Sequence, residues 1–406
     1  MAEAVATQAS TNHYGFMLSE ELVMLRDQIR RFMREEVKPI EDTLAHDATG
    51  CAPEDRQRLR AIAEEMGLTK LTVPEEYGGN PVSSMARVII AEESSKCRLG
   101  GYAPALGAFG GGPPNIIWAG TEEQIQKYGI PCVEGHMSAF VAITEPTGGS
   151  DPRNNITTRA TKEGDKWILN GRKMWITGAG RASYGVIFAR TNDGDEGRPP
   201  EITAFIVERD FPGISFQEIK VIRALSPYEI VLDNCEVPAE NVLGQVGHGF
   251  GVAQTWLVDA RIPYAAGCIG IAQEALDMAC GWVKKRPTRD GVLADKQAIQ
   301  WMIADSEVEL RAARLLVYDA ASKVDAGLPG KIDASICKLY GTETAGRVVD
   351  RAIQMFGGMG VAQEMPLERW YRELRVKRIG EGPSEVHRMV IARDKLRNTD
   401  GGMYFG

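Results

Sequence analysis

Ala142-Ile143-Thr144-Glu145-Pro146-Thr147-Gly148-Gly149-Ser150-Asp151 marks the point where this chain changes character. The apolar run Phe140-Val141-Ala142-Ile143 feeds into a turn dense in hydroxyls and backbone N–H donors. The pattern admits two readings. One is an ordinary passage from strand to loop; the other is a cradle for a polar ring edge or a phosphate, its glycines letting backbone approach closely. Downstream the texture is that of strands. Trp167-Ile168-Leu169 and Met174-Trp175-Ile176 flank Asn170-Gly171, which predicts a two-residue hairpin. Val186-Ile187-Phe188, Ala204-Phe205-Ile206-Val207 and Ile230-Val231-Leu232 follow between Gly, Pro and Asp turns. The stretch 136–248 therefore predicts an antiparallel β domain. Within it Trp175 is either a core aromatic or a cover for a planar cofactor, with Thr177 supplying a hydrogen bond.

On both sides the period is helical. Ser19 can cap a helix whose Leu22, Leu25, Ile29, Phe32 and Met33 form one apolar stripe. Leu59, Ile62 and Met66 form a second stripe closed by Gly67, and Thr121 with Gln124 makes a capping box. After Gly249 four long helical segments can be drawn, at 249–285, 293–326, 331–356 and 366–397. Breakers at Pro287, at Gly327–Gly330 and at Gly357-Gly358 separate them, which suggests an antiparallel bundle. The expected fold class is α+β, mainly α. It has an N-terminal helical domain (1–135), a middle antiparallel β domain (136–248) and a C-terminal four-helix bundle (249–406).

Composition narrows the function. A net charge of -8 supplies no basic face for nucleic acid or an anionic membrane surface, and no apolar run reaches the ~20 residues of a membrane span. The seven cysteines are scattered, odd in number and without a C-x-x-C, which fits buried thiols in a reducing compartment. The five histidines show no ligand spacing, so no metal is expected. Met1 to Phe16 resembles neither a secretory signal nor a mitochondrial presequence, and the cytoplasm is the expected location.

Two glycine-rich stretches remain. Gly358-Met359-Gly360-Val361-Ala362-Gln363 starts like a dinucleotide fingerprint, but Gln363 stands in place of its last glycine and a helix, not a strand, precedes it. Arg378-Ile379-Gly380-Glu381-Gly382-Pro383-Ser384-Glu385 sets a carboxylate between two glycines and ahead of a proline. That is a poor helix interior, and it puts Glu381 on a tight turn that backbone and ligand can share. Read alone, such a glutamate is more often a solvated loop residue.

In combination these segments resemble the acyl-CoA dehydrogenase family over essentially the whole chain. A-I-T-E-P-T-G-G-S-D matches one family signature. Gln354-Met355-Phe356-Gly357-Gly358-Met359-Gly360-Val361, with Glu364, Arg369 and Glu373, matches the other. Trp175-Ile176-Thr177 lies between them, and Val237–Gly244 resembles the exit from the β domain. The resemblance implies FAD bound non-covalently between the β domain and the bundle. Ile143, Thr144 and Ser150 would meet the flavin or its phosphates, with Trp175, Ile176 and Thr177 flanking the ring. Arg286, Gln297, Gln354, Gly357 and Gly358 would meet the FAD of a neighbouring subunit, which implies a homo-oligomer, in this family a tetramer of paired dimers. Pro383, Ser384 and Glu385 would lie near the FAD phosphates. Ser150, Asp259, Arg261, Gly380 and Gly382 would meet the acyl-CoA substrate.

By the same resemblance Glu381 is the catalytic base. It would take the α proton of an acyl-CoA thioester while hydride leaves Cβ for flavin N5, giving a trans double bond. The Glu381 N–H would donate to the thioester oxygen, and desolvation would raise the carboxylate towards the acidified proton. Some relatives carry the base just before the arginine that matches Arg261; here that residue is Ala260, so no second candidate exists. Electron-transferring flavoprotein is the implied acceptor. An oxidase and a flavin-free scaffold on the same fold are the rival readings.

Several positions depart from the family pattern. Arg289-Asp290 replaces Phe-Gly, Pro383 a threonine, Glu385 a glutamine and Val258 an aspartate. Gly380 replaces the bulky aromatic often found before the base, which predicts a wider acyl cavity and a branched, cyclic, aryl-bearing or otherwise bulky substrate.

Overall fold

Gly164 and Asp165, not Asn170 and Gly171, form the tight turn of the first hairpin. β2 (Arg159–Glu163) pairs antiparallel with β3 (Lys166–Ile176), and Glu163 faces Lys166 across the two-residue loop. Gly164 supplies the positive φ, 62°, that such a loop needs. The expected turn at Asn170-Gly171 is overturned because β3 runs straight through it as a bulge against β7 (Tyr228–Pro238). Asn170 Oδ1 accepts from the backbone N–H of Asn234 at 2.8 Å. A Cβ on Gly171 would stand 2.5 Å from Thr158 Oγ1, so the glycine serves a close approach to its neighbour.

The remaining strands are β1 (Ala139–Ala142), β4 (Tyr184–Asn192), β5 (Glu201–Glu208), β6 (Ile214–Glu218) and β8 (Val242–Leu243). They join in the order β6-β7-β3-β2-β4-β5-β8. β1 lies parallel to β4, as does the single β2–β4 bridge, so the sheet is antiparallel except along that edge of β4. β4 and β5 are buried on both faces. Ile187, Phe205 and Val207 pack with Trp167 and Ile230 on one side; Val186, Phe188 and Ile206 pack with Ile117 and Tyr128 on the other. Burial on both faces explains their unbroken apolar runs.

A computed structural model describes residues 18–110, 112–194 and 199–399 of the protein; the Met1–Phe16 stretch lies outside them. The chain forms two compact units. The sheet unit comprises Gly67–Pro81 and Gly110–Asp259, the helical unit Met1–Met66, Val82–Phe109 and Ala260–Gly406. The helical unit contains α1 (Glu20–Phe32), α2 (Pro53–Glu65) and α3 (Ser84–Ser94), most of α4 (Gly249–Val283), and α5 (Gln297–Asp325), α6 (Lys331–Phe356), α7 (Leu367–Lys377) and α8 (Ser384–Arg397). Ser19 Oγ caps α1 by accepting from Leu22 N. The capping box of Thr121 and Gln124 is formed in the sheet unit.

One helical expectation is corrected. The segment 366–397 is two helices, α7 and α8, because Glu381 and Gly382 turn to φ 57° and 96° and Pro383 cannot continue a helix. α6 packs against α5, α7 and α8, and so runs beneath that break. The buried Glu92–Arg314 pair, 2.8 Å, ties α3 to α5. No described helix is long and apolar enough to cross a membrane.

Candidate active site

The turn between α7 and α8 is held from three sides. Arg261 on α4 donates from Nε to the backbone carbonyl of Glu381 at 3.2 Å. His387 on α8 reaches the same oxygen from Nε2 at 3.2 Å. A carbonyl can only accept, so this nitrogen carries the proton and Nδ1, buried without a partner among the described residues, does not. Lys338 on α6 donates to the carbonyls of Arg378, at 3.2 Å, and Gly382. The backbone N–H of Ser384 closes the turn onto Arg378 O at 3.2 Å.

Inside this clamp Glu381 adopts a left-handed conformation rare for a residue with a side chain. Its Oε2 is buried and without a hydrogen-bond partner among the described residues. Burial pushes its carboxyl above the ordinary range, against the opposing attraction of Arg261, Lys377 and Lys338. Burial, with the positive charge of Arg261 and Lys338, pushes His387 down to about 4, so its ring is neutral at pH 7. Burial also pushes the Lys338 ammonium down to about 8.

Both flanking glycines have neighbours that matter. A Cβ on Gly382 would stand 3.0 Å from His387 Nε2, and one on Gly380 would stand 3.3 Å from the hydroxyl of Tyr264. Tyr264 donates to Lys377 O at 3.5 Å, and the Lys377 ammonium sits 4.1 Å from the centre of its ring. Tyr264, Lys338 and His387 were not foreseen from the sequence. A lysine on the apolar stripe of α6, among Ala334, Gly341 and Ala345, was the available signal.

The sheet unit carries the other predicted cluster. Trp175 is 52% exposed with φ 65°, on a bulge where β3 shifts register against β7 between Lys173 and Ile176. The bulge turns the indole out of the core while Ile176 stays in it. Arg223 donates from Nη2 to Thr177 Oγ1 at 2.8 Å, and its buried Nε has no partner among the described residues. Thr144 O accepts from Met174 N at 2.8 Å, which ties the 145–151 turn to β3. Beneath them Glu145 accepts from Lys173 Nζ at 2.7 Å, from Thr157 N and Oγ1 at 2.6 Å each, and from Thr158 N at 3.0 Å. Lys173 also donates to Ile143 O at 3.1 Å. Ser150 is exposed at the end of the turn.

Arg286, Gln354, Gly357 and Gly358 are exposed and gather around a stacked Trp282–Phe356 pair, ring centres 5.0 Å apart, with Arg286 over Trp282. Gln297 is exposed at the start of α5. Pro383 precedes α8 and Glu385 is exposed in its first turn, while the Ser384 hydroxyl is buried and donates to Glu343 at 2.7 Å. The side chains of Val258 and Asp259 lie outside the described residues.

Residues 19–136, 140–235 and 247–396 match, in turn, the family models for the acyl-CoA dehydrogenase N-terminal, middle and C-terminal domains. The chain belongs to the acyl-CoA dehydrogenase family. It is 36% identical to the (R)-benzylsuccinyl-CoA dehydrogenase of Thauera aromatica, with 96% of this chain and 98% of that one covered. It is also 36% identical to the short-chain specific acyl-CoA dehydrogenase of Clostridium acetobutylicum, with 93% and 98% covered. The solved butyryl-CoA dehydrogenase of Megasphaera elsdenii superposes with a TM-score of 0.79 at 31% identity, over 94% of this chain and 100% of that one. This acyl-CoA dehydrogenase is thus an oxidoreductase of CoA thioesters and an FAD flavoprotein.

Its own residues suit that cofactor. A planar indole held outward by a strained bulge and a hydroxyl beside a guanidinium match an aromatic ring system joined to phosphates.

Proposed function

We propose that this acyl-CoA dehydrogenase places a trans Cα=Cβ double bond in its substrate, with Glu381 as the base that takes the α proton. What carries the assignment is the state of Glu381. Its Oε2 is buried without a hydrogen bond among the described residues, its carboxyl is raised by burial, and its turn is held by Arg261, His387 and Lys338. A carboxylate with one oxygen buried and unsatisfied is costlier as an anion and more basic for the same reason. The Glu381 N–H donates to no described residue and is free to meet the thioester oxygen, where negative charge develops as the α proton leaves. Ala260 offers no competing base. When bound, FAD supplies the acceptor for the hydride that leaves Cβ. Trp175, Thr177, Thr144, Ile143, Ile176 and Ser150 would hold it, and Arg223 would orient Thr177.

For the acyl group we propose a branched, cyclic, aryl-bearing or otherwise bulky chain. Gly380 carries no side chain beside the base turn, and a Cβ there would already stand 3.3 Å from the Tyr264 hydroxyl, so a bulky residue at 380 would crowd this side. The similarity to a dehydrogenase named for benzylsuccinyl-CoA supports this reading.

The exposed cluster at Arg286, Gln297, Gln354, Gly357 and Gly358 would serve the FAD of a second copy. Gln354 lies sixteen residues beyond Lys338 on α6, roughly 24 Å at the helical rise and so well apart from the base turn. Trp301, Val308 and Leu315, seven residues apart on α5, expose one apolar stripe that a second copy could cover. A homotetramer fits, with electron-transferring flavoprotein as acceptor by family resemblance. The free cysteines fit a reducing cytoplasm.

The test is anaerobic addition of an acyl-CoA panel to the holoenzyme while flavin absorbance is followed. Bulky thioesters should bleach it fastest, and Glu381→Gln should bind flavin and ligand without bleaching. Unimpaired reduction by that variant would overturn the base; best kcat/KM on butyryl-CoA with bulky thioesters inert would overturn the substrate class.

A further inference from the structure

Lys338 is wholly buried on the inward stripe of α6, beside Ala334, Gly341, Thr342 and Ala345. An ammonium there is costly, and an apolar side chain of similar length would fill the space without that cost. The charge instead makes two hydrogen bonds. Both go to the turn that carries Glu381: one to the carbonyl of Arg378, three residues before it, and one to the carbonyl of Gly382, immediately after it.

Pinning those two carbonyls restrains the backbone between them, alongside the bonds from Arg261 and His387 to the Glu381 carbonyl. Glu381 lies in that interval at φ 57°, a conformation that persists only where its surroundings hold it. The same two bonds help set the direction of the Glu381 N–H, because that peptide lies within the clamped loop. A displacement of about 1 Å at a reacting group costs on the order of 100-fold in rate.

We infer that Lys338 is a positioning residue for the dehydrogenation, holding the Glu381 turn in its left-handed form and so setting where the carboxylate and the Glu381 N–H stand. The inference rests on Glu381 being the base. It goes beyond that reading by assigning the geometry of the turn to a side chain on another helix that need not touch substrate.

The experiment compares wild-type holoenzyme with Lys338→Met, Lys338→Arg and Glu381→Gln. In Lys338→Met, kcat per bound flavin should fall about 10- to 100-fold while KM changes by less than about threefold. The isotope effect with α-deuterated acyl-CoA should rise, since proton removal becomes more rate-limiting. Flavin content and visible spectrum should stay as in wild type. Lys338→Arg, which keeps the donors, should recover part of kcat.

A wild-type rate per flavin and an unchanged isotope effect in Lys338→Met overturn the inference. So does equal impairment of the Met and Arg variants, which would assign the effect to shape alone. If Lys338→Met does not accumulate as holoenzyme, Lys338→Gln, with one amide donor, is measured in its place and judged by the same rate and isotope effect. An inactive Glu381→Gln beside a fully active Lys338 variant sinks only the Lys338 inference; an active Glu381→Gln sinks the base itself.

Discussion

Arg261 Nε donates to the backbone carbonyl of Glu381 at 3.2 Å, so the guanidinium grips Glu381 by its main chain while Glu381 Oε2 has no hydrogen bond among the described residues. Its charge still acts on that carboxyl, opposing the rise that burial causes. Removing the charge must therefore let the carboxyl rise further. In Arg261→Gln the acid limb of kcat/KM against pH should move to higher pH, and kcat should fall about 10- to 100-fold as the turn loosens. An acid limb that stays put or moves to lower pH would contradict the electrostatic assignment.

His387 makes stability depend on pH. Its ring is buried and neutral, with its titration pushed down to about 4, whereas in the unfolded chain a histidine titrates near ~6.5. Between those values the unfolded chain binds the extra proton and the folded one does not. The contribution is therefore complete above about pH 6.5 and lost as pH falls towards 4. Thermal unfolding of wild type and His387→Gln from pH 7 to pH 4 checks this. Wild type should lose more Tm over that interval than the variant, and parallel curves would refute the account.

How much of this was legible in the sequence depended on whether the signal was local. The cap at Ser19, the box at Thr121–Gln124 and the helix breaks at Gly327 and Gly357 are properties of a few adjacent residues, and the structure has them. Asn170-Gly171 carried an equally local signal and misled, because Asn234, sixty-four residues away, turns it into a bulge. The turn at Glu381 was legible because glycine and proline mark it; read alone it pointed to a solvated loop residue, and the proposed role of its carboxylate came from the family resemblance. Lys338 and His387 were not legible, since their value lies in carbonyls that only the folding of α6 and α8 brings to them. Trp175 could be read as core or cover; its positive φ, which no sequence pattern displays, turns it outward.

Beneath that indole, the Glu145–Lys173 pair should behave as a buried charge pair that is expensive to break on one side. Burial alone would raise the Glu145 carboxyl, but Lys173, Thr157 and Thr158 outweigh it and hold the group down to about 2. Lys173→Met would leave a buried, partly satisfied anion and should destabilise the protein by about 3–5 kcal/mol in urea unfolding. Glu145→Gln combined with Lys173→Met removes both charges and should cost clearly less than the single Lys173 change. A double variant as unstable as the sum of its singles would show that the two side chains do not act as a pair.

Gly380 and Tyr264 together should set which acyl groups fit beside Glu381. An aromatic residue at 380 meets two constraints, because its Cβ would stand 3.3 Å from the Tyr264 hydroxyl and its ring would take up room beside Glu381 that the proposed acyl group needs. Gly380→Tyr alone should therefore lose activity on every thioester, bulky ones most, since the turn must shift to clear Tyr264 and Glu381 moves with it. Adding Tyr264→Val removes the obstructing hydroxyl without restoring the space. The double variant should regain at least tenfold of the lost kcat/KM on butyryl-CoA, a difference of about 1.4 kcal/mol in transition-state stabilisation. It should stay poor on bulky thioesters. Recovery on bulky and short substrates alike would mean that only the position of the turn had been repaired and that residue 380 does not bound the acyl cavity. No recovery on either would mean that the Tyr264 contact is not what limits a side chain at 380.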